Sequence, residues 1–395
     1  MFRSFVIDTK EWLFEIARIF RRELSLVFSD VGVILFFFML PLAYPIAYSL
    51  IYNTEVVKKM PVAVIDNSRT SLSREFVRHA DATEAIDVCG YAANLQEAKQ
   101  WMAEKKCFAI LEIPSDYSEK LGRAEQPQIQ FYCDMTLLLR YRTFTSAMAD
   151  LQIATGAELR QMTLDDLGLT ASGDTASIGS VGFPMGDTQQ GFASFVIPGI
   201  VIMILQQSMI IGIVFIGGTR AEQRRRLKGP LPIKEDAYSP SAQIIGRTLC
   251  YMILYIPMAI YNLHFVLHFF DYPHDISLLN AIVFIIPLLA ASAMLGQTLN
   301  IFASERESAF VVVVFTSIAF LFLSGLTWPR YAMPPFLSYL GDLIPATWGI
   351  DGFVRINSNG APFSFVARPL HWLWGLTLLY SATAYLVTRW QTRRA

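Results

Sequence analysis

The sequence has no G-x-x-x-x-G-K-S/T phosphate loop, so it offers no such cradle of backbone amides for a nucleotide. Charge is scarce: Asp, Glu, Lys and Arg make 16% of the chain, against roughly 25% in a typical soluble protein. The formal net charge of -1 gives no basic footprint for nucleic acid. Cysteine is sparse as well, at positions 89, 107, 133 and 250, and no zinc-ligand spacing occurs. One disulfide can join two of Cys89, Cys107 and Cys133, and the sequence does not choose the pair. Residues 1–30 hold too long a charged run for a cleavable leader, and no small-residue cleavage site ends the apolar segment behind them. The first apolar segment is therefore expected to be retained.

Apolar surface is what the chain has in excess. Hydrophobic residues make 53% of it and its mean hydropathy is +0.40. Six stretches reach the roughly 20 residues that cross a bilayer: 31–52, 191–217, 244–270, 278–303, 308–328 and 369–390. This predicts an α-helical polytopic membrane protein. The densest basic run, Arg220, Arg224, Arg225, Arg226 and Lys228, places loop 218–243 in the cytoplasm by the positive-inside rule. Arg389, Arg393 and Arg394 do the same for the C-terminus, loop 271–277 lacks Lys and Arg, and 304–307 is a minimal inner turn. Both termini are thus expected in the cytoplasm, and the membrane is expected to be the cell's inner membrane.

Polar residues inside these stretches need partners. Gln206 and Gln207 in the second, and Gln297 and Asn300 in the fourth, are costly against lipid and are expected to face a helix, a second copy or a polar path. His264 and His268 can share a face, and without a third ligand they read as a polar rim rather than a metal site. Ahead of the first span, Leu13, Ile16, Ala17, Phe20, Leu24 and Val27 recur at helical spacing, with Glu11, Glu15, Arg18, Arg22 and Ser25 opposite. Residues 1–30 are predicted to form an amphipathic helix on the inner membrane surface.

Between the first two spans, residues 53–190 change to the composition of a soluble α/β domain. Strands are predicted at 61–66, 86–91, 107–113 and 129–133, and helices at 71–80, 95–106 and 143–162, the second of these capped by Asn94. Residues 170–188, rich in Gly, Ser and Asp, are expected to be a flexible return. Asp66, His79, Asp81, Glu84, Asp87 and Asp134 have no catalytic or metal-ligand spacing and read as solvated carboxylates and an exposed histidine. Residues 329–368 stay aromatic but are broken by Pro329, Pro334, Pro335 and Pro345, which predicts short extracytoplasmic helices at the membrane surface.

These features together resemble a known family. The Ser324-Gly325 turn, the Pro-aromatic-Met-Pro run at 329–334, the Leu-Ile-Pro at 343–345 and an Arg before the last span resemble permeases of ABC type-2 (ABC-2) exporters. In the insert, the strand ending at Asp66, the Ser-rich helix start after it, Glu97-Ala98, Ile113-Pro114 and Tyr117-Ser118 are similar to the extracytoplasmic domain of a bacterial multidrug-type subgroup.

The resemblance implies a permease subunit without chemistry of its own. ATP and Mg would be bound by a separate ABC ATPase, and a second copy or a related permease would complete the path. Further partners would be membrane lipid and a periplasmic adaptor. The leader helix would touch the ATPase, and the family's coupling element falls at Glu222, Arg224, Arg225, Arg226 and Leu227. This chain has no Gly-Thr after Glu222 and inserts residues 229–238 before Pro240 and Ser241. Gln206, Gln207, Gln297 and Asn300 would line a substrate path or a helix interface. Two rival readings are a membrane-anchored receptor or assembly factor whose insert binds a ligand, and a membrane enzyme using Asp66 or Asp134.

Overall fold

Asp30 sets the first corner of the chain. It follows the 28-residue helix α1 (Phe2–Ser29) in extended conformation, and its carboxylate accepts from the backbone N–H groups of Gly32 and Val33 at the start of α2 (Val31–Ile34). A π-helical turn, Leu35–Met39, joins α2 to α3 (Leu40–Ile51), giving an apolar rod over Val31–Ile51. The widened turn carries Phe37 into the interior. There its ring meets Tyr255 edge-on at 5.1 Å and lies so close to Gly212 that a Cβ would come within 1.7 Å of it.

This is a computed structural model that describes residues 2–52, 57–123, 125–136, 138–166, 192–227, 238–274 and 276–394. The chain divides into two units, Met1–Asn53 with Pro184–Ala395, and Thr54–Phe183.

The inserted unit is β1 (Met60–Asp66), α4 (Ser71–Asp81), β2 (Ile86–Tyr91), α5 (Leu95–Ala103), β3 (Ala109–Ile113), α6 (Tyr117–Gly122), β4 (Gln130–Cys133) and α7 (Leu138–Asp166). Its sheet order is β2-β1-β3-β4, with β1 parallel to β2 and β3, and β4 antiparallel to β3. Because helices cover both faces, β1 is apolar on both. Met60, Val62 and Val64 join the side chains of α4 and α7 in one core, while Ala63 and Ile65 join Ala98 of α5 in the other. Thr70 and Ser73 form a reciprocal cap on α4, and Asn94 caps α5 by accepting from the Glu97 N–H. The sequence did not announce α6, and α7 begins at Leu138, five residues before the predicted helix. All four cysteines are free, and burial pushes the Cys107 thiol up to about 11. The return at 170–188 lies outside the described residues.

The rest of the first unit follows as α8 (Phe192–Leu227), α9 (Pro240–Ile260), a π-helical turn at Tyr261–Val266 with α10 (Leu267–Phe269), and α11 (Leu278–Leu299). Then come α12 (Ser308–Leu323), α13 (Pro335–Asp342), α14 (Pro345–Asn357) and α15 (Ala367–Arg394). Among the described residues, four helical runs are long and apolar enough to cross a membrane: Val31–Ile51, Phe192–Arg226, Pro240–Phe269 and Leu278–Phe302. The expected fifth span is shorter than predicted. α12 stops at Leu323, because the chain turns through Ser324 and Gly325, which has φ +92°, so no extension to Trp328 forms. α15 has the length to cross, but its Trp, Tyr and Thr residues dilute its apolar character.

α8 differs most from expectation. Residues 218–227, predicted to lie in the loop 218–243, continue its helix to a total of 36 residues. Ala, Glu, Gln, Arg and Leu favour the helix, and the arginines of its last turn oppose the negative end of its dipole. The remainder of that loop, 228–237, lies outside the described residues. In the broken stretch, α13 and α14 each begin with a proline in the first turn, where its missing N–H costs nothing.

Candidate functional site

The basic end of α8 is tied to its neighbours rather than left as a loose loop. Glu222 Oε1 accepts from the backbone N–H of Arg306 at 2.9 Å, with Arg226 4.0 Å from its other oxygen. Arg225 donates to Glu305 at 3.0 Å and to the Ser304 carbonyl at 2.5 Å. The 304–307 turn can sit this close because Gly218 lacks a side chain, and a Cβ there would lie 2.2 Å from the Glu305 carbonyl oxygen. Arg306 then passes over the Phe215 ring to reach both oxygens of Asp30, at 2.6 and 2.8 Å. One polar junction therefore joins the α1–α2 corner, α8 and the α11–α12 turn. Arg226 is largely exposed, Arg224 is half-buried beside it, and Leu227 is the last helical residue.

A second cluster, which the sequence reading did not single out, lies one step inward. Glu23 of α1 is fully buried and accepts from the Arg220 guanidinium of α8 and the Tyr251 hydroxyl of α9, with Arg247 Nε at 3.9 Å. Further along α1, Glu15 accepts from the Ser239 N–H at 3.2 Å and its hydroxyl at 2.8 Å, and Trp12 donates to Ser241 at 3.1 Å. α1 packs one stripe of its surface against its neighbours. Ile16, Ile19, Glu23 and Val27 are buried, while Leu13, Phe14 and Ala17 are exposed. Glu15 meets the Ser239 N–H at the N-cap of α9, where a carboxylate also complements the positive end of the helix dipole. Two signals were available. Arg247 lies in an otherwise apolar stretch and must have a partner, and Glu15 and Glu23, two turns apart, fall on one face.

The structure separates the four singled-out amides. Gln206 Oε1 accepts from the Ala346 N–H in the first turn of α14 at 2.6 Å, Gln297 donates to Thr248 at 2.7 Å, and the Asn300 side chain seats on Gly217. These three mediate helix contacts. Gln207 lines a groove of about 260 Å³ between α3, α8 and α12, with Leu40, Tyr44, Tyr48, Ile204, Ser317 and Leu321 among its walls. Gln207 is buried, both of its side-chain polar atoms are enclosed, and among the described residues neither has a hydrogen-bond partner. Turned into the groove, such an amide would offer one acceptor and two donors to an otherwise hydrophobic guest.

His264 and His268 have a neighbour the sequence could not show. His274 Nε2 lies 2.6 Å from His264 Nδ1, and its Nδ1 lies 3.0 Å from Asn357 Oδ1. Among the described residues no group of three His, Cys, Asp or Glu is placed to hold a metal. The carboxylates of the insert have structural partners. Asp66 accepts from the Ser68 and Arg69 N–H groups and the Ser73 hydroxyl, Asp81 accepts from Val88 N–H, and the Thr136 N–H holds Asp134 below its usual carboxylate range.

Comparison with known proteins places these features in context. The family model described as ABC-2 family transporter protein matches residues 32–386. The chain is also similar to the linearmycin resistance permease protein LnrN of Bacillus subtilis (strain 168), with 21% identity over 365 residues, covering 86% of this chain and 90% of that protein.

Proposed function

The chain belongs to the ABC-2 transporter family, and from that premise we propose that it is the permease subunit of an ATP-driven exporter. The observation that carries this reading is the family match over residues 32–386, which takes in both the apolar helices and the inserted domain. In this reading the chain crosses the inner membrane six times, with α12 and α15 as the last two crossings, both termini in the cytoplasm and the insert outside. A separate ABC ATPase binds ATP and Mg and docks on the end of α8, around Arg224, Arg226 and Leu227, while Glu222 and Arg225 brace that surface against the 304–307 turn. Two permeases meet to enclose the path, and the Gln207 groove forms part of it. The cargo is an amphipathic compound toxic to the cell, in keeping with the name of the permease it resembles.

Purification of the full chain from native membranes, followed by reconstitution of the complex and an efflux assay with a lipophilic dye, tests this. A stoichiometric ATPase carrying a phosphate loop and ATP-dependent loss of dye are expected. Gln207→Leu should alter efflux without altering assembly. Reproducible absence of any ATPase overturns the reading and favours a membrane-anchored receptor.

A further inference from the structure

We propose that the start of α15 holds a glycerophospholipid of the outer leaflet, its phosphodiester on Arg368 and an acyl chain laid down the helix over Gly375. The inference rests on the reading of α15 as the last crossing, which puts its first turn at the outer surface.

The charge comes first. Of the arginines in residues 329–368, Arg330 is paired with Asp342 at 2.5 Å and Arg355 with Asp351 at 2.8 Å. Arg368 is exposed, and among the described residues it meets no carboxylate; its guanidinium stands 5.6 Å from the centroid of the Trp348 ring. A cation held by an aromatic ring keeps its N–H donors for another partner. The ring beneath it is itself fixed, because Trp372 stacks on Trp348 at 4.9 Å with the planes 6° apart and Trp348 Nε1 donates to the Asp342 carbonyl at 3.0 Å. Paired indoles of this kind suit the headgroup level of a membrane.

The rest of the site lies on the same face of α15. His371 and Trp372 follow Arg368 at i+3 and i+4, and both are exposed. His371 Nδ1 lies 2.6 Å from the Ala367 carbonyl oxygen, so that nitrogen carries the proton, and Nε2 of the neutral ring is left to accept from a headgroup hydroxyl or ammonium. No acidic residue stands in the first turn to repel a phosphate. One turn further on, a Cβ added to Gly375 would meet nothing within 4 Å, and exposed Leu379 and Leu386 continue the stripe. A cationic patch that runs into an apolar lane matches a molecule whose charged head and apolar tail are joined. A soluble anion would leave the lane unused.

The test uses the purified full chain, stripped of native lipid in detergent and titrated with dioleoylphosphatidylglycerol or with dioleoylglycerol, which has the same tails and no phosphate. Retention is read by native mass spectrometry. The wild type is expected to hold the phospholipid about tenfold more tightly than the diglyceride. Arg368→Gln should abolish that preference and Arg368→Lys restore part of it, while Arg355→Gln keeps it. Equal retention of the two probes by the wild type, an unchanged preference in Arg368→Gln, or an equal loss in Arg355→Gln overturns the proposal. Gly375→Leu should weaken both probes alike, and unchanged retention there overturns the placement of the tail. Sidedness is read separately, with a membrane-impermeant maleimide on Arg368→Cys in a background lacking the native cysteines. Labelling of intact spheroplasts supports the outer leaflet. Labelling only after the membrane is opened brings down the crossing reading and the outer-leaflet placement with it, whereas loss of the lipid preference alone leaves that reading standing.

Discussion

At Gly212 the Phe37 ring occupies the space a methyl group would need. Gly212→Ala is expected to destabilise the folded chain by about 1–3 kcal/mol through overpacking, and Phe37→Leu should restore much of the loss, measured as melting temperature in detergent. Cys107 makes a chemical prediction. With its thiol pushed up to about 11 by burial, it holds almost no thiolate at neutral pH, so a maleimide should label it only after unfolding or as the pH approaches that value. Cys89, which is exposed, should label first as the pH is raised. At this scale the sequence was partly legible. It marked Gln206 and Gln207 as costly in an apolar setting, but a helix enclosed on nearly all sides has no lipid face from which to read phase. Which amide meets α14 and which meets the groove depended on neighbours distant in sequence. Glu23 was hidden among the charges of a leader that looked uniformly surface-bound.

Among the elements, α1 shows what periodicity can and cannot say. Its amphipathy was visible, yet the contacts of Glu15 with Ser239 and of Glu23 with Arg220 and Tyr251 depend on residues distant in sequence, which no local pattern reveals. The corner after it has two separable roles in one side chain. Asp30 caps α2 and pairs with Arg306. Asp30→Ser keeps a capping oxygen and loses the ion pair, whereas Asp30→Ala loses both. The alanine variant is therefore expected to melt earlier, by about 1 kcal/mol relative to serine. Raising the salt concentration should lower the wild type's advantage over Asp30→Ser, because the Arg306 side chain is 41% exposed and the pair is screened. The prolines of residues 329–368 predicted short helices, and α13 and α14 begin at them. The early end of α12 was less legible, since Ser324-Gly325 marked a turn while the apolar run beyond it suggested continuation.

On the scale of the whole molecule, composition changes over 53–190 and the compact inserted unit is Thr54–Phe183; a sheet covered on both faces and a bundle of apolar helices need different residues. The inserted unit carries a core on each side of β1. Residues 57–166 expressed alone are expected to fold, giving a single cooperative thermal transition by circular dichroism, and a gradual melt would show that the unit depends on the rest of the chain. α8 is where length has the largest consequence. From Gln207 to Leu227 it is a single stiff rod, without proline, of about 30 Å. A tilt of about 10° about one end carries the other roughly 5 Å, so under the proposed docking a displacement of the arginine end would be carried to Gln207, reversed in direction where the pivot lies between. Where along this one helix the fulcrum falls would set the ratio of the two displacements.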